Sequence, residues 1–151
     1  MTDNWLRPGR LILTLIALMT GVSPFLADWN TTHIYNPYWP PHARFHNGQT
    51  MLMGAALALL TIWALWRRSG DQASNFFWAA MLTSLYWATQ AGAILFPGAG
   101  YTDPQLGTKL PTFSNGVVFN QTMLDAVILP LVLCAYLWDR SRYAGLQSNQ
   151  P

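Results

Sequence analysis

All three histidines of the chain, His33, His42 and His46, stand in one segment, DWNTTHIYNPYWPPHARFHNGQT, headed by Asp28. Neutral imidazole is the commonest metal ligand. With Asp28 the three rings make a four-donor set of a kind that zinc, copper or iron accepts. His42 and His46 are four residues apart. If Pro40-Pro41 opens a short helix, both rings share one face. The spacing leaves other uses open: the rings could hydrogen-bond loop carbonyls and lipid headgroups, or transfer protons. The candidates for proton chemistry are His42, His46 and Asp125. Pro37, Pro40 and Pro41 stiffen the segment, because proline fixes φ and holds the preceding residue extended. Such a stiff aromatic loop suits a lid over a pocket, a surface for a partner, or a simple seal on the scaffold below.

A second constellation lies in apolar sequence. Asp125 is one turn beyond Gln121 in the fourth apolar stretch, and Thr89 and Gln90 fall at a matching depth in the third. Asn120, Gln49 and Thr50 enter at a similar level. A carboxylate at membrane depth is costly and usually faces the bundle interior with a partner, here Arg44 or Lys109. The expected ligand-pocket set is therefore Gln90, Gln121, Asp125, Gln49 and Trp39, capped by the histidine loop. The same polar groups could equally be interhelical glue, worth under about 1 kcal/mol each. The other half of each span reads as plain apolar packing, with Cys134 as a small core residue.

Four helices must position these groups. Charged residues make up only 9% of the chain, against about 25% in a soluble domain. Hydrophobic residues make up 52% and eight are Trp. So few charges could not cover a soluble surface, and a net charge of +2 is too small for phosphate steering, so nucleic acid is not an expected partner. A single cysteine excludes a disulfide framework. No glycine-rich phosphate loop, nucleophile elbow or HExxH motif is present, and no charged ladder marks an ion path. Four stretches approach the roughly 20 apolar residues that a spanning helix needs: about 11–28, 49–66, 76–96 and 117–138. The expectation is an all-α, four-helix transmembrane bundle of two helical hairpins, one integral membrane domain over 1–151, with outer loops at about 29–48 and 98–116. Arg7 and Arg10 before the first stretch also fit a signal peptide, but the apolar run continues past Thr20 with no clean small-x-small cleavage site after it.

Arg7, Arg10, Arg67, Arg68, Arg140 and Arg142 flank one side of these spans and Arg44 and Lys109 the other, which places both termini in the cytoplasm. Trp5, Trp29, Trp39, Trp66 and Trp138 fall near the interfaces, as an aromatic belt does. Gly54, Ala55, Ala56 and Ala58 predict a close helix contact. Gln49-Thr50-Met51-Leu52 recurs as Gln121-Thr122-Met123-Leu124. At the same offset Leu65-Trp66 matches Leu137-Trp138 and Arg68-Ser69 matches Arg140-Ser141. The pattern favours an internal duplication whose tetrapeptide opens the second and fourth helices and whose Leu-Trp pair ends them.

The segment Asn36–His46, NPYWPPHARFH, within Thr32–Met51, resembles the hallmark loop of an uncharacterised family of small four-helix membrane proteins of bacteria and fungi. Their shared loop reads NPxWPPHARxH. The resemblance implies the four-span layout and a bacterial inner membrane, and brings no catalytic residue with it. In layout alone the chain also resembles sterol isomerases of the emopamil-binding type and the related sigma-2 receptor, which use acids inside a small bundle. Here Glu is missing, and only Asp125 and Asp28 could correspond. Two functions compete. One is a bundle that binds or processes a lipid-like or small hydrophobic ligand in a pocket toward the outer leaflet, with a His/Asp metal site as a variant. The other is a non-catalytic accessory subunit whose partners are the bilayer, further copies of itself or a larger membrane complex.

Overall fold

The computed structural model of the chain describes residues 6–107 and 109–147. Its helices are α1 (Pro8–Asp28), α2 (Pro41–Trp66), α3 (Gln72–Ala93) and α4 (Gln121–Gln147), with a 3₁₀ turn at Pro104–Leu106. Among the described residues there is no strand, only an isolated antiparallel bridge between Thr112 and Val118. The fold is thus all-α with four helices, as the composition and spans predict.

Proline sets two of the starts. Pro8 and Pro41 each sit at the first turn of a helix, where the missing N–H costs nothing, and Arg7 and Pro40 before them are extended. Asp71 caps α3 by accepting from Ala73 N at 2.9 Å, and Gly70 supplies the positive φ that the short turn after α2 needs.

α1, α2 and the Gln121–Arg140 part of α4 are each long and apolar enough to cross a membrane. α3 is long enough, at 22 residues or about 33 Å, but Asn75, Ser84 and Gln90 leave it less apolar than the other three. α1 packs on α2 and α4, α3 packs on α2 and α4, and α1 and α3 meet across the centre. The core is built from Leu13 and Ile16, Leu57 and Leu65, Phe76 and Trp87, Ile128 and Val132. Leu15, Leu59, Trp63 and Leu133 point outward, so the bundle is greasy on both its inner and outer faces, the pattern of helices solvated by lipid.

Small residues set the closest approach, as the glycine and alanines of α2 predict. A Cβ on Gly54 would stand 2.7 Å from the Thr20 carbonyl oxygen. Ala58 is buried against Gly21, whereas Ala56 faces outward. Two indoles lock the helices across that contact. Trp87 Nε1 donates to Thr20 Oγ1 at 2.9 Å, and Trp66 Nε1 donates to Thr14 Oγ1 at 3.1 Å.

Several boundaries differ from expectation. α2 starts at Pro41, not near Gln49, because the Pro-Pro pair nucleates the helix and does not break it. α3 begins at Gln72, and α4 begins at Gln121 and continues to Gln147. The connections expected on the outer side therefore run over 29–40 and 94–120. The repeated tetrapeptide opens α4 but lies about two turns inside α2, and Leu137-Trp138 is interior to α4 while Leu65-Trp66 closes α2.

Cys134 is exposed and does not fill the core, because the buried stripe of α4 runs through Asp125, Ile128, Val132, Ala135 and Asp139. Nor is the end of the bundle away from the histidine loop plain apolar packing: Arg10 and Asp139 are 2% and 0% exposed. Asp139 Oδ2 accepts from the Arg10 backbone N at 3.3 Å, a carboxylate set against the N-terminal turn of α1. The Arg10 guanidinium lies 5.4 Å from the Trp66 ring centroid. Gly9 makes room for this contact, since a Cβ there would run into the Ala135 carbonyl and stand 2.7 Å from Asp139 Oδ2. Trp5 and the side chain of Arg142 lie outside the described residues.

Candidate functional site

The loop between α1 and α2 is organised around Asn36, which is completely buried. Its Nδ2 donates to the Thr32 carbonyl at 3.1 Å and to Asp103 Oδ2 at 3.2 Å, and its Oδ1 accepts from Tyr38 N at 2.9 Å. Arg44 reaches back from α2 to donate to the Asn36 carbonyl at 2.7 Å. Asp103, from the connection between α3 and α4, also accepts from Trp39 Nε1 at 2.8 Å. One carboxylate thus ties the two loops into a single cap. No local pattern marks Asn36 or Asp103, because each finds its partner 67 positions away in the chain.

Three adjoining cavities lie under and within this cap. The deepest, about 310 Å³, is bounded by Asp28, His33, Asn47, Trp87, Gln90 and Gln121, with Tyr86 and the apolar Pro24 and Leu124 completing the wall. A second, about 370 Å³, shares Asp28, His33 and Gln121 and adds Trp39, Asp103 and Lys109 from the loops. A third, about 190 Å³, shares Gln90 and Gln121 and opens toward Tyr101. Gln121, the first residue of α4, borders all three. Tyr101 hydrogen-bonds Thr122 beside it, pinning the second loop to that helix start.

The polar groups here divide into anchored and unanchored. Asp28 Oδ2 accepts from Asn47 Nδ2 at 2.7 Å, and its Oδ1 faces His33 Nε2 at 3.6 Å. His33 Nδ1 is 2.7 Å from Thr32 Oγ1, and its ring meets Trp39 edge to face at 5.3 Å. By contrast, Gln90 Oε1, Asn47 Oδ1 and both oxygens of Asp125 are buried without a hydrogen-bond partner among the described residues. Such atoms cost about 1–3 kcal/mol each unless a water or ligand satisfies them.

The expected site residues fall into three groups. Gln90, Gln121 and Trp39 do border the cavities, and Asp28 and His33 join them. Asp125 is 1% exposed and one turn beyond Gln121, but it does not line the deepest cavity. Neither Arg44 nor Lys109 pairs with Asp125, because Arg44 is held by Asn36 and Lys109 belongs to the upper cavity. Gln49 lies outside, on an exposed groove of α2 with Phe45, Leu52 and Met53.

The four-donor set of Asp28, His33, His42 and His46 is not assembled. Pro41 carries His42 and His46 onto an exposed face of α2, while the loop turns His33 inward to Asp28. Among the described residues no three His, Cys, Asp or Glu side chains are grouped to hold a metal ion.

A family described as of unknown function, DUF6640, matches residues 12–150 of the chain. No curated protein and no solved structure matches it.

Proposed function

We propose a function from the site itself, since the chain belongs to the family of unknown function DUF6640, from which no activity carries over. The protein is a multi-pass membrane protein that binds a small amphiphile at one end of its bundle. The apolar part of the ligand lies among Pro24, Trp87 and Leu124, and its polar head meets Gln90, Asn47 and Gln121 below the Asn36–Asp103 cap. Gln90 Oε1, buried and bordering the cavity, carries this proposal: it is an acceptor without a hydrogen-bond partner among the described residues, at a place with room for a donor. The volumes, about 310 Å³ and 370 Å³ side by side, suit a small ligand or a lipid headgroup with its first methylenes. His33 and Asp28 form the titratable pair at the cavity and would carry any proton transfer there.

The arginine distribution favours both termini in the cytoplasm and the cap on the outer side of a bacterial inner membrane. Tyr35, Tyr38 and Phe45, all exposed around the cap, favour the second reading, an accessory subunit that docks a larger complex through its loops.

The test is lipid extraction and mass spectrometry of the full chain purified in mild detergent, beside the double variant Gln90→Leu/Gln121→Leu, with thermal midpoints to confirm folding. The ligand reading expects one amphiphile enriched over bulk lipid in the wild type and lost in the folded variant. The same lipid profile in both proteins refutes it.

A further inference from the structure

We propose that His42 and His46 form a two-histidine chelate for a borderline transition-metal dication, copper(II) or zinc(II), on the outer end of α2 and separate from the cavity. The two rings stand one turn apart on the first turns of the helix. Their Nε2 atoms are 3.0 Å apart, with ring centroids at 4.4 Å and planes at 82°. Ligand nitrogens about 2.0–2.1 Å from one ion, in adjacent positions at a right angle, are separated by about 3 Å. The helix therefore holds the pair at chelating distance before any ion arrives.

The other nitrogen of His46 is already committed. Nδ1 lies 3.2 Å from Gln49 Oε1, an acceptor, so the proton belongs on Nδ1 and the Nε2 lone pair is left for the ion. This is the outer-shell carbonyl or carboxamide contact that orients metal-binding imidazoles and fixes their tautomer. His42 has no such constraint. It stacks on Phe45 with planes 6° apart, and its Nε2 faces that of His46. Two neutral imidazoles facing through Nε2 need something between the lone pairs. Without metal it is a proton on His42 Nε2. When the ion binds, that proton is exchanged through solvent to Nδ1, so the ring stays neutral and both Nε2 lone pairs turn to the metal.

The donor set selects the ion. Two nitrogens with no carboxylate grouped beside them among the described residues suit copper and zinc and are poor for calcium or magnesium, which take oxygen donors. Both rings are exposed, so water fills the remaining positions and ion exchange is not hindered. Gln49 also borders the apolar groove of Phe45, Leu52 and Met53, which places the ion at the rim of that groove.

The test is titration of the full chain in detergent, carrying no histidine tag, with copper(II) alone. Calorimetry reads affinity and electron paramagnetic resonance counts the coordinated nitrogens. The expected result is one ion per chain bound through two imidazole nitrogens. His42→Gln and His46→Gln, which keep the thermal midpoint because both rings are exposed, should each lose at least tenfold in affinity. Gln49→Ala should lose about tenfold through loss of ring orientation, and His33→Gln should bind as the wild type does. Wild-type affinity in His42→Gln or His46→Gln, a spectrum without two nitrogens, or an equal loss in His33→Gln each overturns the proposal.

Discussion

Replacing Asn36 with Ala should open the cap without unfolding the bundle. The side chain makes three hydrogen bonds from a completely buried position, two to neutral backbone groups and one to the Asp103 carboxylate. Neutral bonds contribute about 1 kcal/mol each, and one to a charged partner about 1.5–3 kcal/mol. Their sum is about 4 kcal/mol. The loop relaxes, water reaches the freed groups, and Asp103 keeps Trp39 Nε1, so about 2–3 kcal/mol of local stability is lost. At 1.4 kcal/mol per decade this is a roughly 30- to 100-fold loss of protection for amides that exchange by local opening. Hydrogen exchange of the micelle-bound protein reads this directly. The amides of Asn36 and Trp39, which donate to His33 O and Asn36 O, should speed up by that factor, while those around Leu13, Leu57 and Ile128 should not change. Unchanged exchange in the loop would show that Asn36 does not hold the cap. An equal acceleration in the helices would show that cap and bundle are one cooperative unit.

Other substitutions probe the scaffold. Asp125→Val removes two buried acceptors that have no partner among the described residues and should raise the unfolding free energy by roughly 1–2 kcal/mol after crowding is offset, read as a raised thermal midpoint; a fall would mean that Asp125 is satisfied in solution. Gly9→Ala should cost about 1–3 kcal/mol by forcing α1 away from Ala135 and Asp139, read as a lowered thermal midpoint, and an unchanged midpoint would contradict the close contact. A double-mutant cycle on Trp87→Phe and Thr20→Ala should give a coupling near 0.6–1 kcal/mol, the scale of hydrogen bonds between helices in a membrane; zero coupling would contradict the α1–α3 tie.

Much of the scaffold is legible from composition and hydropathy alone. Long apolar runs with almost no charges leave helices as the only local solution, and Gln90 and Gln121 stand out because amides are conspicuous in such runs. What escapes is whatever depends on partners distant in sequence. Asp139 falls just past the fourth apolar stretch, and only the fold shows it, within α4, against the first turn of α1. Asp103 sits in an unpatterned loop, yet it joins two loops through Asn36 and Trp39. Pro40-Pro41 illustrates a different limit. The same dipeptide can end an apolar pattern or begin a helix, and here it begins α2 eight residues before the apolar run, which removes His42 and His46 from His33. Local spacing correctly pairs those two rings on one face, while the wider set of three rings is decided by the loop's fold around Asn36.

If the space bounded by Gln90, Gln121 and His33 is a binding cavity, a cryo-electron-microscopy map of the protein in lipid nanodiscs will show continuous non-protein density there, with a polar atom within hydrogen-bond distance of Gln90 Oε1. A closed space, with Gln90 turned to a protein donor and the helices drawn together over it, would contradict it.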